Sequence, residues 1–200
     1  MTLIKICGLS RDCDIDYVNE AKPDYIGFIL HFPKSRRNIT DDRAAELRRR
    51  LSPEIRAVGV FVDQPVETVL AAADKIGLDV IQLHGHEDDA YIAALRGKTP
   101  LPVWKAFRVR SAEDLAAAEK SLADEVLLDN GYGTGEVFDW TLASGFSRSF
   151  LLAGGLTPDN LASAIRTLRP KLADISSGVE TDGAKDRDKI HAAVRAARSL

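Results

Sequence analysis

The stretch LIKICGLS, residues 3–10, decides the fold class, because it contains the first strand of the chain and the turn after it. Ile4 and Ile6 alternate with Lys5 and Cys7, a period of two that is typical of a β-strand. Gly8 then permits a sharp turn, and Ser10 can cap a helix over the next residues. Cys7 is therefore predicted to lie at the carboxyl-terminal tip of a strand.

The same unit, a short apolar run followed by an alanine-rich amphipathic stretch, recurs along the whole chain. Strands are predicted at residues 3–7, 25–30, 57–62, 80–84, 102–107, 125–129, 150–154 and 173–176. Helices are predicted near residues 11–21, 41–51, 65–76, 87–96, 111–121, 139–144, 158–168 and 186–198. Several of these helices have start signals, which are Thr40, Ser111 and Thr157-Pro158.

Eight strand–helix units of about 25 residues each fit an α/β fold, the (β/α)8 or TIM barrel. A doubly wound open sheet alternates in the same way, but it normally carries a G-x-G-x-x-G turn after its first strand. This chain has C-G-L-S there instead, which favours the barrel. No Pro/Gly/Ser-rich linker divides the series, so residues 1–200 are predicted to form a single (β/α)8 domain.

The composition excludes several classes of partner. The 200 residues include 27 Lys and Arg and 30 Asp and Glu, for a net charge of −3, and the basic residues are scattered. We therefore expect no nucleic acid and no membrane surface as a partner. No apolar stretch approaches the roughly 20 residues of a membrane span, and the N-terminus lacks the pattern of a signal peptide. A cytoplasmic location is expected, with Cys7 and Cys13 as free thiols and no metal site.

Polar side chains are predicted to gather inside the barrel and at its mouth, where the carboxyl ends of the strands form the active site. By strand parity, the inward-facing set is Lys5, Cys7, Gln82, His84, Lys105, Asp129, Asp174 and Ser176. For Lys5, Lys105 and Asp174, a polar core in which the groups satisfy one another is an alternative. Cys7 and Asp129 are the last residues of their strands, which favours a function for both.

Two glycine-rich segments, at the ends of the seventh and eighth strands, predict a phosphate site. They are LAGGLTPDN (152–160) and ISSGVE (175–180). Gly154 and Gly155 let the backbone come close to an anion, and Ser176 and Ser177 add hydroxyl donors. Either segment alone can be an ordinary tight turn. Their place after the last two strands of a barrel favours phosphate binding.

The chain resembles the phosphoribosylanthranilate isomerase family of tryptophan biosynthesis nearly from end to end. The motifs that carry the resemblance are KICGLS, GFILHFPKSRRNI, GVFV, QLHGHE, LLD followed by GTG and FDW, LAGGLTPDN and DISSGVETDGAKD. The resemblance implies a (β/α)8 enzyme without cofactor or metal ion. It also implies an Amadori rearrangement, in which the aminoaldose N-(5-phosphoribosyl)anthranilate becomes the aminoketose 1-(o-carboxyphenylamino)-1-deoxyribulose 5-phosphate.

The resemblance further implies roles for particular residues. Cys7 of KICG would be the general base, and Asp129 of LLD the general acid. Arg37 would contact the anthranilate carboxylate, although the adjacent Arg36 competes for that role. The phosphate would be held by the two glycine-rich segments, and the full predicted substrate-binding set is Arg37, His84, Gly154, Gly155, Asp174, Ser176, Ser177 and Gly178.

Two functions of other classes also fit the sequence. One is a sugar-phosphate-binding barrel without catalysis, in which Cys7 is only a core thiol. The other is a Schiff-base aldolase with Lys105 or Lys5 as nucleophile. The loop after Asp129, NGYGTG, is short, so its cover over the substrate can differ from that of the family. The expected ligand is a small-molecule substrate; the oligomeric state is open, with a monomer favoured.

Overall fold

The computed structural model describes residues 2–129 and 146–199, and within them eight parallel strands form a closed barrel. The strands are β1 (Leu3–Cys7), β2 (Tyr25–Leu30), β3 (Arg56–Phe61), β4 (Val80–Leu83), β5 (Val103–Arg108), β6 (Glu125–Asp129), β7 (Phe150–Ala153) and β8 (Leu172–Ile175). Consecutive strands pair in chain order, and β1 pairs with both β2 and β8, which closes the barrel. The predicted (β/α)8 fold is thus confirmed.

Seven helices lie in the described part of the chain and follow the predicted order. They are α1 (Asp12–Ala21), α2 (Asp41–Arg50), α3 (Val66–Ile76), α4 (Asp89–Arg96), α5 (Ala112–Lys120), α6 (Pro158–Leu168) and α7 (Arg187–Arg198). The helix predicted near 139–144 lies outside the described residues. None of the described helices combines the length and the apolar character that a membrane crossing requires.

The starts of the helices test the predicted caps. Three are confirmed, each by a hydroxyl that accepts the backbone N–H three residues further on; they are Thr40, Ser111 and Thr157. The cap predicted at Ser10 is wrong, because Arg11 precedes α1 and the buried carboxylate of Asp14 does the capping. Its Oδ2 accepts the backbone N–H groups of Ser10 and Arg11, both at 2.9 Å, so no hydroxyl is needed there.

Two apolar layers are separated by the barrel wall. The outer layer packs the strands against the helices. The inner layer fills the barrel near the amino-terminal ends of the strands with Tyr25, Val58, Val80, Trp104, Ala106, Leu127, Leu151, Ala153 and Leu172. Beyond it, towards the carboxyl ends, the inward side chains are polar and buried, namely those of Lys5, Gln82 and Asp174. Among the described residues, the buried polar side chains inside the barrel thus lie towards the end where a barrel carries its active site.

The inward orientation predicted for Lys105 is wrong. Trp104 faces the interior instead, with its ring edge-on to that of Tyr25 at 5.0 Å between centroids. Lys105 points outward, where its Nζ donates to the carbonyl oxygen of Gly85 at 2.6 Å and to the carboxylate of Glu87 at 2.8 Å. A buried indole removes far more apolar surface from water than a lysine stem does, so the tryptophan decides the parity of β5.

A cavity of about 560 Å³ opens at the amino-terminal end of the barrel, below Tyr25 and Trp104. Two ion pairs lie at its rim, Arg96 with Asp124 at 3.0 Å and Lys171 with Glu125. In (β/α)8 barrels this end contributes to stability, and the chemistry occurs at the opposite end. We therefore place the site at the carboxyl-terminal mouth.

Candidate active site

The base candidate lies at the tip of β1. Cys7 is 8% exposed and pairs in the sheet with Gly27 of β2, whose missing side chain makes room for it. A Cβ built on Gly27 would lie 2.8 Å from Cys7 Sγ and 3.1 Å from Lys5 Nζ. The thiol and the ammonium therefore both border the space that a side chain at Gly27 would occupy. Lys5 in turn donates to Asp174 Oδ2 at 2.7 Å. A thiol, an ammonium and a carboxylate therefore line this side of the mouth.

The charges of this group influence one another. Burial raises the pKa of the Cys7 thiol, and the Asp174 carboxylate acts in the same direction, while the Lys5 ammonium opposes both. Burial alone would lower the pKa of Lys5, but Asp174 and Cys7 outweigh it and hold that pKa above its ordinary value. Lys5 therefore stays charged beside the thiol, where its ammonium opposes the effect of burial on the pKa of Cys7.

The acid candidate lies across the mouth at the tip of β6. Asp129 Oδ2 is 3.2 Å from Nε2 of His84, which directly follows β4, and Nδ1 of His84 is 3.4 Å from the amide nitrogen of Gln82. An amide nitrogen can only donate, so Nδ1 accepts and the ring proton is assigned to Nε2. His84 then donates to Asp129, and the structure places this predicted substrate-binding residue directly on the predicted acid.

The two arginines of the loop after β2 share one carboxylate. Arg37 donates to Glu180 through Nε at 2.6 Å and Nη2 at 2.8 Å, and Arg36 donates through Nη2 at 2.5 Å. Lys185 adds a third cation at 2.8 Å. Burial of Glu180 works against ionisation, yet Arg37 and Lys185 lower the pKa of its carboxyl to about 2. Three cations around one anion leave this side of the mouth positive, which suits an anionic ligand.

Gly8 explains how Arg37 reaches this position. A Cβ at Gly8 would lie 2.5 Å from Cδ of Arg37, and the backbone there has a φ of +82°. Any other residue would therefore both strain the turn and push the guanidinium aside. The turn predicted at Gly8 is confirmed, and it serves the arginine as well as the chain path.

Glu180 and Lys185 were absent from the predicted site, although a signal for them exists in the sequence. They pair across a two-stranded antiparallel ribbon formed by Glu180–Thr181 and Ala184–Lys185. The turn of this ribbon is Asp182-Gly183, both with positive φ. Asp-Gly between two short runs is the strongest local sign of a tight hairpin, and it would have placed the two side chains opposite each other.

The first glycine-rich segment follows β7. Gly154 and Gly155 both have left-handed backbones, with φ of +90° and +64°. The side chain of Asn160 fixes this turn by donating to the carbonyl oxygen of Gly155 at 2.9 Å. The segment leads into α6, whose amino-terminal end is capped by Thr157. A glycine turn and a helix start are thus next to each other, an arrangement that can bind a phosphate.

The second segment, after β8, packs directly against the first. A Cβ at Gly178 would lie 1.9 Å from the carbonyl oxygen of Leu156, so the two backbones touch. Ser177 begins a short 3-10 turn, and the hydroxyl of Ser176 donates to the carbonyl oxygen of Cys7 at 3.1 Å. The structure therefore brings the predicted phosphate residues together and places them beside the predicted base.

Comparison with known proteins decides the family. Residues 4–196 match the family described as N-(5'-phosphoribosyl)anthranilate (PRA) isomerase. The chain belongs to this family. It is 43% identical to the N-(5'-phosphoribosyl)anthranilate isomerase of Thermoanaerobacter sp. strain X514, with 100% of both chains covered. The predicted family, its isomerase activity and its place in tryptophan biosynthesis are therefore confirmed.

Solved structures of PRA isomerases agree over the full length. One, in complex with reduced 1-(o-carboxyphenylamino)-1-deoxyribulose 5-phosphate, is 34% identical with a TM-score of 0.89, and 100% of both chains are covered. The enzyme from Thermotoga maritima is also 34% identical, with the same coverage and a TM-score of 0.91. Another structure, 35% identical over all of both chains with a TM-score of 0.90, shows monomers generated from that dimeric enzyme. A monomeric state stays a prediction for this chain.

The lysines of the aldolase hypothesis are not arranged as nucleophiles. Lys105 points out of the barrel interior, and Lys5 is fully buried and held charged by Asp174. A Schiff base needs a neutral amine that can reach the carbonyl. In the described parts of the chain no cluster of His, Cys, Asp and Glu is arranged to hold a metal ion. The motifs NGYGTG and FDW lie outside the described residues.

Proposed function

We propose that the chain converts N-(5-phosphoribosyl)anthranilate into 1-(o-carboxyphenylamino)-1-deoxyribulose 5-phosphate with Cys7 as general base and Asp129 as general acid. The observation that carries this assignment is the pair of strand ends. β1 ends in a thiol and β6 in a carboxylate, three strands apart around the eight-stranded barrel. A substrate between them meets an acid and a base from different sides, as the rearrangement requires.

The chemistry assigns one step to each group. Asp129 protonates the furanose ring oxygen, so that the ring opens to a Schiff base, and this makes the proton on C2 acidic. Cys7 removes that proton to give an enolamine, which becomes the ketone. Acid and base catalysis each contribute on the order of 10²–10⁴ in rate. His84 supports the acid, since its hydrogen bond holds Asp129 at the mouth.

The direct test is turnover of N-(5-phosphoribosyl)anthranilate by the purified chain, followed by the change in fluorescence of its anthranilate ring. Wild type should convert the substrate, and Cys7→Ser should lose nearly all of this rate. A wild-type chain that binds the substrate without turnover would instead support the sugar-phosphate-binding barrel, and the proposal would fail.

The substrate's carboxylate is assigned to Arg37, and two observations support this. Glu180 engages Nε and Nη2 of Arg37, and the guanidinium retains further N–H donors for a second anion. Arg37 is also the more enclosed arginine, with a side chain 21% exposed against 58% for Arg36. Enclosure strengthens a charged hydrogen bond, so the more enclosed guanidinium is the better carboxylate ligand.

Removing the Arg37 guanidinium should weaken catalysis through substrate binding. A charged hydrogen bond contributes about 1.5–3 kcal/mol, so Arg37→Ala should lose about one to two decades in kcat/KM. Arg37→Lys should also be impaired, because an ammonium cannot form two parallel hydrogen bonds. Arg36→Ala is the matched control and should cost little. A crippled Arg36→Ala beside a nearly normal Arg37→Ala would move the carboxylate to the other arginine.

The phosphate is assigned to the backbone around Gly155 and to Ser176, Ser177 and Gly178. Gly155→Val should raise KM about tenfold or more. The branched side chain keeps the phosphate away from the backbone, so charged hydrogen bonds to the phosphate are lost. Gly77→Val is the control for backbone strain, because Gly77 has a similar φ of +71° and nothing within 4 Å of a Cβ. Equal use of a dephosphorylated substrate by wild type would contradict phosphate anchoring.

A cytoplasmic location and a monomeric state complete the proposal. The base of this mechanism is a free thiol, which a reducing compartment preserves. Cys7 and Cys13 are both free in the structure. Sedimentation of the purified chain tests the monomer, and a dimer at working concentration would contradict it.

A further inference from the structure

Lys5 is the most deeply buried charged side chain of the mouth, and the proton transfers proposed above do not use it. It lies two residues before Cys7 on the same face of β1, with 0% of its surface exposed. Burying an ammonium is costly unless the surroundings compensate for its charge. Its only fixed neighbours of opposite charge in the described chain are the Asp174 carboxylate and, when ionised, the Cys7 sulfur.

The surroundings of Lys5 differ from those of Lys105, which is also buried. Lys105 also pairs with a buried carboxylate, but its ammonium donates to a backbone carbonyl oxygen as well, and both acceptors belong to the loop after β4. Lys5 donates to Asp174, and its Nζ and the Sγ of Cys7 both border the space opened by Gly27. An ammonium that is anchored by a carboxylate and has a thiol as its neighbour is an arrangement that stabilises a thiolate.

We propose that Lys5 is the positioning residue of the base: its ammonium, anchored by Asp174, lies beside Cys7 and stabilises the thiolate form that removes the proton. The proposal rests on the role of Cys7 as general base. In this step the thiolate takes the proton from C2 of the substrate and becomes a thiol. Lys5 keeps its own three protons throughout, so it acts by charge and not as an acid.

The charged groups that face Cys7 come from four elements. They are Lys5 on β1, Asp174 on β8, Lys185 on the short ribbon and Arg37 on the loop after β2. Burial and Asp174 raise the pKa of the thiol, whereas Lys5 and, more weakly, Lys185 lower it. Substitution of Lys5 and of Asp174 should therefore move the thiol's pKa in opposite directions. A purely structural role of the pair predicts no such opposition.

The test is a titration of the Cys7 thiolate by its ultraviolet absorbance in a Cys13→Ser background, with Cys7→Ser/Cys13→Ser as the blank. An opposite charge within hydrogen-bond reach shifts a pKa by about 1–3 units. Lys5→Met should raise the thiol pKa by about that amount, and Asp174→Asn should lower it. In Lys5→Met, kcat/KM at neutral pH should fall about ten- to a thousandfold and recover as the pH rises.

Two variants separate this effect from a loss of stability. Lys105→Met removes a buried lysine that does not face Cys7 and should leave the thiol pKa unchanged. If Lys5→Met does not fold because Asp174 is left unpaired, Lys5→Met/Asp174→Asn removes both charges. Its thiol pKa should lie above that of Asp174→Asn alone, which keeps Lys5.

The outcomes distinguish this inference from the proposed function. An unchanged thiol pKa in Lys5→Met, or in the double variant relative to Asp174→Asn, overturns the inference whatever Cys7→Ala does. An active Cys7→Ala overturns the assignment of the base whatever the titration shows. Opposite shifts in the two single variants, together with alkaline recovery of Lys5→Met, support Lys5 as the residue that positions the base.

Discussion

Replacing Cys7 with alanine should lower turnover by about three decades or more, equivalent to about 4 kcal/mol of activation free energy. The methyl group that remains cannot accept a proton, and the neighbours of Cys7 cannot replace it. Lys5 is held charged by Asp174, so it has no lone pair to offer. Substrate binding should persist, because the arginine and the glycine-rich loops are untouched. Single-turnover assays and a binding titration with the substrate separate these effects.

Cys13→Ala is the control for this experiment. Cys13 lies on α1, where its sulfur is 4.0 Å from a carboxylate oxygen of Asp14, so it belongs to the helix start and not to the mouth. It should retain normal turnover. Near-normal turnover of Cys7→Ala would end the assignment of Cys7 as base and leave its thiol as a packing group in the barrel.

The sequence was sufficient for the fold because strands and helices alternate with clear periods and boundaries. Observed element ends differ from the predicted ones by no more than two residues in the described chain. The alternation of inward and outward side chains along each strand also predicted correctly that Cys7, Asp129 and Asp174 face the barrel interior. Each of them follows an apolar neighbour that packs under the helices. The prediction failed at Lys105, where it assumed that polar residues point inward. The amino-terminal half of this barrel is apolar inside, and Trp104 occupies it.

The charge network of the site was less predictable, because it depends on contacts between residues far apart in the chain. Arg37 and Glu180 meet although 143 positions separate them, and Lys5 meets Asp174 across the closure of the barrel. A motif shows that charged residues are present, but it does not show which of them form ion pairs with one another. Strand closure supplies that information: β1 pairs with β8, so Lys5 and Asp174 are register partners in the sheet.

The second large effect is expected at Asp129. Asp129→Asn keeps the size of the side chain and can still receive the hydrogen bond from His84, but an amide has no acidic proton to deliver to the ring oxygen. The variant should fold normally and lose about two to four decades of turnover, the contribution of one general acid. Circular dichroism checks the fold, and the substrate fluorescence assay checks the rate. The neighbouring carboxylate of Asp174 offers no ready substitute, because it is paired with the Lys5 ammonium.

The comparison with His84 shows whether the acid is the carboxyl group itself or its hydrogen-bonded partner. His84→Gln removes a titratable ring while leaving an amide that can donate to Asp129, and its turnover should fall less than that of Asp129→Asn. The histidine lies 3.2 Å from Asp129 and is 37% exposed, so it acts on the carboxyl group from the solvent side. If Asp129→Asn stays active while His84→Gln is inactive, the imidazole is the proton donor and the carboxylate only orients it. If both stay active, the acid lies elsewhere, and Asp174→Asn is the variant to measure next.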